Sequence, residues 1–240
     1  MLDIYAGPLT RYYAKNWKTK NQVMAEQSGV VYRQINPNDM SASSEPQATP
    51  EQVQEIVGLW STTVLTSLSS HVGQQLNPWV DRNDAPYYTN QLTWEAYNAL
   101  VLWACFRECP ELASKTPDLT NLQNNPAYER INEDAFDSKY KTLTHGVELW
   151  LPGEYQIMFE GATITGSKAL MSTTNLLQSQ LKALNESTWK AYGMDINTWL
   201  KNGTPGPQAA LETLAKYAFA VLTESVKFSQ QHNLPIKLDY

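Results

Sequence analysis

Leu2–Tyr13, LDIYAGPLTRYY, is the stretch whose reading decides the fold. Leu2–Ala6 carries hydrophobic and aromatic residues ahead of any helical pattern and reads as a strand. Gly7-Pro8 bends or interrupts it, and Leu9–Tyr13 then resumes extended structure. If the turn folds back, Asp3, Arg11, Tyr12 and Tyr13 approach a common edge. Trp17 follows a polar turn and locks the segment onto the core.

At the other end, Leu234–Leu238 reads as a terminal strand lying beside the first one. A sheet that holds both chain ends, with helices outside it, follows. Between them, Thr49-Pro50-Glu51 is a helix start, with Thr49 as cap and Pro50 in the first turn. That helix runs to about Gln75. Its buried stripe is Val53, Ile56, Val57, Trp60, Val64, Leu65 and Leu68, and Gly58 allows close packing against another element. A second helix runs from about Thr93 to Glu108 and stops at Cys109-Pro110. A short helix is expected near Ala127–Glu133. A further helix begins near Ser172 or Thr173 and is interrupted near Asn185–Ser187. The last helix runs from Gln208 to about Gln230.

Val147–Leu151 and Tyr155–Phe159 read as an antiparallel hairpin turning at Pro152-Gly153, with a short third strand over Ala162–Thr165. Val30–Ile35 has strand composition, and Asn36–Pro50 is rich in Ser, Asn and Pro, so it reads as a flexible loop near 36–50. Strand–helix alternation is too irregular for a doubly wound sheet. The expected architecture is a single α+β domain over residues 1–240, a small mixed or antiparallel sheet packed against several long helices.

Composition narrows the function classes. The chain of 240 residues is 42% hydrophobic, 18% charged and carries a formal charge of −6. No basic run offers a footprint for nucleic acid. No apolar segment is long enough to span a bilayer, and the start lacks a secretory signal, so a cytoplasmic location with no membrane partner is expected. Cys105 and Cys109 are the only cysteines, and their spacing on one helix makes a disulfide awkward. No phosphate loop, dinucleotide fingerprint or nucleophile elbow is present, so no cofactor is expected. His71, His145 and His232 are scattered and give no metal set.

Eight Trp and thirteen Tyr against five Phe favour interfaces and amphipathic pockets, because both side chains join apolar area to a polar handle. The loop Asn77–Asn90, NPWVDRNDAPYYTN, gathers Trp79, Asp81, Asp84, Tyr87 and Tyr88 with Arg82. These five residues, joined by Arg11 and Tyr13, are the candidate partner-binding set. The alternative use of the loop is an aromatic clamp that holds it to the domain.

Leu2–Tyr13 with Trp17, the Trp150-Leu151-Pro152-Gly153 turn and the later Leu176–Trp189 helix together resemble uncharacterised bacterial proteins with a Leu-Asp-Ile-Tyr opening. Some of those resemble immunity or accessory proteins for secreted toxins. The resemblance implies a non-catalytic partner for a protein toxin or another bacterial protein, acting by steric occlusion. The competing expectation is a small-molecule hydrolase with a carboxylate-rich pocket. In it, Asp3, Asp81 and Asp84 are candidate carboxylates, His145 and Glu148 an acid/base pair, and Arg11 an anion clamp.

Overall fold

Leu2–Ala6 forms strand β1. The structure is a computed structural model that describes residues 1–29 and 48–240. The strand expected at Val30–Ile35 and most of the expected 36–50 loop lie outside the described residues. β1 is central. It pairs antiparallel with β2 (Tyr88–Leu92) on one side and with β6 (Ile236–Asp239) on the other. The two ends of the chain are therefore neighbours in one sheet, as the sequence indicates. Among the described residues, β3 (Leu149–Leu151), β4 (Met158–Ala162) and β5 (Lys168–Thr173) complete a six-stranded mixed sheet of order β2-β1-β6-β3-β5-β4. The α+β class stands.

Alternation along β1 divides the sheet into two faces. Leu2, Ile4 and Ala6, with Trp150, Ile236 and Leu238, face a large core. That core is closed by α4 (Trp94–Glu108), α7 (Thr174–Ser187) and α9 (Leu211–His232). α5 (Pro126–Ile131) and α6 (Lys141–Thr144) pack along α4, and α8 (Gly193–Lys201) packs on α9. On the other face, Leu149, Leu151 and Met171 meet Leu9, Val53, Val57, Leu65 and Leu68. This smaller core is closed by α1 (Leu9–Tyr13) and α3 (Pro50–Val72). Trp60 of α3 donates its indole N–H to the carbonyl of Ala162 at 2.7 Å, which fixes α3 to the β4 edge.

Several local expectations change. Leu9–Tyr13 is a helix and not an extended segment. Two tyrosines after a proline favour extended backbone locally, but Asp81 accepts from the backbone N–H of Leu9 and of Thr10, each at 2.8 Å. A carboxylate on the first N–H groups stabilises a helical turn. α2 (Lys20–Gln27) is an unexpected helix, started by a reciprocal capping box between Thr19 and Gln22.

The Pro152-Gly153 hairpin is also replaced. β3 pairs parallel with β5, and β4 pairs antiparallel with β5 through a turn at Gly166, where φ is +82°. The chain passes β5's place to lay down β4 first, then returns. Lys168–Thr173 is thus an additional strand, and Thr173 caps α7 where the sequence places the helix start. Ile56 is exposed on α3 rather than buried, and a side chain at Gly58 would meet open space. The loop from Asn77 ends early, because Tyr88 already belongs to β2.

Candidate functional site

The face of β1 that carries Asp3 and Tyr5 is where the aromatic and charged residues gather. Tyr5 is fully buried and donates its hydroxyl to the carbonyl of Pro8 at 2.9 Å. Its ring lies 5.4 Å from that of Tyr12, 5.0 Å from Trp17 and 5.8 Å from Tyr87. Tyr12 stacks on Trp17 at 5.6 Å and meets Tyr13 edge-on at 5.0 Å. Aromatic pairs at these separations add to simple area burial. Because Gly7-Pro8 turns the chain back as α1, residues on both sides of the turn share one cluster, which is how Asp3, Tyr12 and Tyr13 reach a common edge.

Two open clefts flank the cluster. The first, of about 470 Å³, is lined by Asp3, Tyr12, Tyr13, Lys15, Trp17 and Asp239, with Thr19 and Gln22 from the start of α2. The second, of about 740 Å³, is lined by Arg11, Asn16, Lys18, Asn83, Asp84 and Tyr87, and shares Lys15 and Trp17 with the first. Asp3 and Asp239 are register partners across β1 and β6, so their side chains leave the same face of the sheet. Like charges directly opposite one another are unfavourable. Gln91 donates to Asp3 at 3.2 Å, and Tyr12 donates its hydroxyl to Asp239 at 2.5 Å. Burial, and then the Asp239 carboxylate, push Asp3 up to about 6 from an ordinary 3.8. The hydroxyl of Tyr12 is raised by burial and by Asp239, and burial raises Tyr13 to about 12. Lys237 sits 5.4 Å from the centre of the Tyr12 ring, and burial lowers its pKa.

The candidate residues take different positions. Arg11, Tyr13, Asp84 and Tyr87 line the clefts. Arg11 is not a free anion clamp: it donates to the carbonyls of Asn16 at 2.8 Å and Ala85 at 3.1 Å, and its guanidinium lies 4.3 Å from the centre of the Tyr87 ring. Asp84 pairs with Arg82 in solvent, and that bond holds its carboxyl below the usual range. Trp79 and Asp81 are structural. Trp79 is buried in the smaller core and donates to Asp81 at 3.2 Å, while Asp81 holds the start of α1. Tyr88 lies in β2 against Phe228 of α9, away from the clefts. The clamp alternative describes Trp79 and Asp81; of the other loop candidates, Asp84 and Tyr87 line the second cleft and Tyr88 does not.

His145 and Glu148 each have a different partner. The His145 ring nitrogen meets the Thr144 hydroxyl at 2.9 Å, and burial lowers its pKa. Glu148 accepts from the hydroxyl of Tyr240. Among the described residues, no group of three or more His, Cys, Asp or Glu is placed to hold a metal ion. Cys105 and Cys109 are free and buried. Among the described residues, no helix is long and apolar enough to cross a membrane.

Asp239, Lys15 and Trp17 join the site without having been selected from the sequence as contact residues. For Asp239 the signal is the terminal strand itself. Carrying that strand past Leu238 and pairing it antiparallel to β1 places Asp239 opposite Asp3.

The raised Asp3 gives a signed prediction. In the folded chain Asp3 keeps its proton to about pH 6, and in the unfolded chain it loses it near 3.8. Its proton therefore stabilises the fold fully below the lower value, and that contribution is lost as pH rises through the upper one. Because Asp3 is only half-buried, solvent screening reduces the effect to about 1–2 kcal/mol. Asp3→Asn retains an acceptor for Gln91 and removes the charge. Urea denaturation is expected to show the variant more stable than wild type at pH 7.5 by about 1 kcal/mol, with the gap closing at pH 4. A gap that is constant with pH would remove Asp3 as the titrating group.

Comparison with known proteins finds no matching family model, no matching curated protein and no matching solved structure.

Proposed function

We propose that this chain is a non-catalytic binding protein that engages another protein through the face built by Tyr13, Lys15, Trp17, Asp84 and Tyr87. The observation that carries the reading is the pair of adjoining clefts that share Lys15 and Trp17, with aromatic walls and charged rims. Interfaces combine a packed aromatic centre with a polar rim, and this face has both. Its aromatic rings brace one another, so little side-chain entropy is lost when a partner docks. Masking a bacterial toxin by steric occlusion is the specific form that the resemblance of the Leu2–Tyr13 opening implies.

The test is quantitative affinity capture on the immobilised chain, with the product encoded beside it included among the candidates. The comparison is a charge-swapped variant, Lys15→Glu with Asp84→Lys. Both residues are exposed, so the swap leaves the fold in place. One protein is expected to be retained reproducibly by the wild type and about tenfold less by the variant. No reproducible partner, or equal retention by both chains, would sink the reading.

A second reading, a small-molecule hydrolase, is favoured by one observation only, the opposed Asp3 and Asp239 carboxylates in the first cleft. Asp3, protonated below about pH 6, would act as the acid, with Asp239 activating water. A substrate screen at several pH values tests it. It requires product formation that Asp3→Asn and Asp239→Asn each abolish.

A further inference from the structure

We propose that the groove between α7, α8 and α9, on the far side of the sheet from the clefts, binds an amphiphilic carboxylate. The ligand class is an anionic head on an unbranched apolar tail of roughly eight to ten carbons, a size suited to a small, mostly apolar pocket.

The groove has a volume of about 510 Å³. Its floor is apolar: Leu181 from α7 and Phe219 and Val226 from α9 are 3%, 2% and 3% exposed. Ile196 of α8 forms a further wall. The polar groups among these walls are already committed. The Asn185 side chain bonds both the N–H and the carbonyl of Ala191 at 2.9 Å, and the Thr223 hydroxyl donates to the carbonyl of Phe219 at 2.7 Å. Gln178 of α7 and Gln230 of α9 exchange amide hydrogen bonds at 2.7 and 2.8 Å. The interior therefore offers an apolar tail no unsatisfied polar competitor from these side chains.

Charge selects the head. Lys182 of α7 and Lys227 of α9 line the groove from facing helices, and among the described residues no acidic residue lines it. This contrasts with the chain as a whole, whose formal charge is −6. The acids nearest the two lysines are weak competitors. Glu186 stands 3.9 Å from Lys182 and Glu224 stands 3.6 Å from Lys227, with both lysine side chains at least 70% exposed. The Lys182–Glu186 pair is exposed on both sides and contributes little, and Lys227 meets the more buried Glu224 at the longer end of ion-pair range, which leaves its ammonium free to take a second anion. A carboxylate between two ammonium groups gains charge-assisted hydrogen bonds. A cationic head would meet like charge.

The experiment is a calorimetric titration of the full chain with decanoate below its micelle concentration. Decylamine and decan-1-ol serve as cationic and neutral isosteres. Tryptophan fluorescence supplies a second readout, because Phe219 lies 5.2 Å from Trp189 and 6.2 Å from Trp199. Decanoate is expected to saturate one site with a Kd below about 1 mM, and decylamine to bind at least about tenfold more weakly. The double variant Lys182→Gln/Lys227→Gln, altered only at exposed positions, is expected to lose decanoate affinity by about tenfold while binding decan-1-ol as wild type does. Val226→Trp, which fills the floor, is expected to lose both. The proposal is overturned by non-saturable decanoate binding, by equal affinity for the amine, or by wild-type affinity in the double lysine variant. Tight binding of an acidic helical peptide with no binding of decanoate would overturn it equally.

Discussion

Asp81→Ala is expected to destabilise the fold by about 3 kcal/mol, because it strips hydrogen bonds to a charged acceptor and leaves their donors unpaired. Asp81 takes three donors at once: the N–H groups of Leu9 and Thr10, each at 2.8 Å, and the Trp79 indole N–H at 3.2 Å. Leu9 and Thr10 are fully buried, so water does not readily replace the carboxylate. The loss spreads because α1 carries Arg11, Tyr12 and Tyr13 into the clefts. Asp81→Asn keeps one acceptor oxygen but turns an amide group toward an N–H, and is expected to recover only part of the loss. Asp84→Ala, by contrast, removes an exposed pairing with Arg82 and is expected to leave the denaturation midpoint unchanged. Urea denaturation followed by circular dichroism checks all three. Equal midpoints for Asp81→Ala and Asp84→Ala would show that α1 does not depend on its cap.

That contrast shows where the sequence is informative. Asp81 and Asp84 occupy one polar loop and are locally indistinguishable. What separates them is that the backbone N–H groups at the start of α1, 72 residues before Asp81, bond to Asp81 and not to Asp84. The same limit hides α1 itself, because its helical turn depends on that distant carboxylate and its own residues read as extended. Elements with local causes are legible. Thr49 and Pro50 start α3, Thr93 caps α4, and the alternation of Leu2–Ala6 gives β1. α2 was not expected, although it too has a local cause, the capping box between Thr19 and Gln22 in its first turn.

Strand pairing is less legible. A Pro-Gly turn between two β-like runs suggests a hairpin, yet β3 takes β5 as its parallel neighbour, which places Leu149 and Leu151 beside Met171 in the smaller core. Burial on that face decides the pairing, and burial is a tertiary quantity. The candidate site follows the same rule. Asp3, Tyr12 and Tyr13 were readable as a possible edge because one turn unites them. Asp239 enters only through the β1–β6 register.

The same turn sets the second large effect. Gly7→Ala is expected to cost about 3 kcal/mol, the upper end for forcing extra volume into a packed site. A methyl group on Gly7 would lie 2.6 Å from the Tyr5 hydroxyl oxygen, 2.7 Å from Tyr5 Cζ and 2.7 Å from Tyr87 Cβ. Neither neighbour can yield cheaply. Tyr5 is fixed by its bond to Pro8 and by contact with Tyr12 and Trp17, and Tyr87 supports the Arg11 guanidinium. The backbone cannot slide away either, since the Gly7 N–H donates to the carbonyl of Pro235 at 3.0 Å and so ties the turn to the segment entering β6. The strain must pass into the aromatic cluster that walls both clefts. A red shift of tryptophan emission, from Trp17 becoming wetter, is therefore expected together with the lower denaturation midpoint. Tyr5→Phe in the Gly7→Ala background removes the closest contact and leaves the other two, so it is expected to restore less than half of the loss. A Gly7→Ala chain within about 1 kcal/mol of wild type would mean that the cluster yields easily. The clefts would then lack the rigid aromatic wall on which the binding proposal depends.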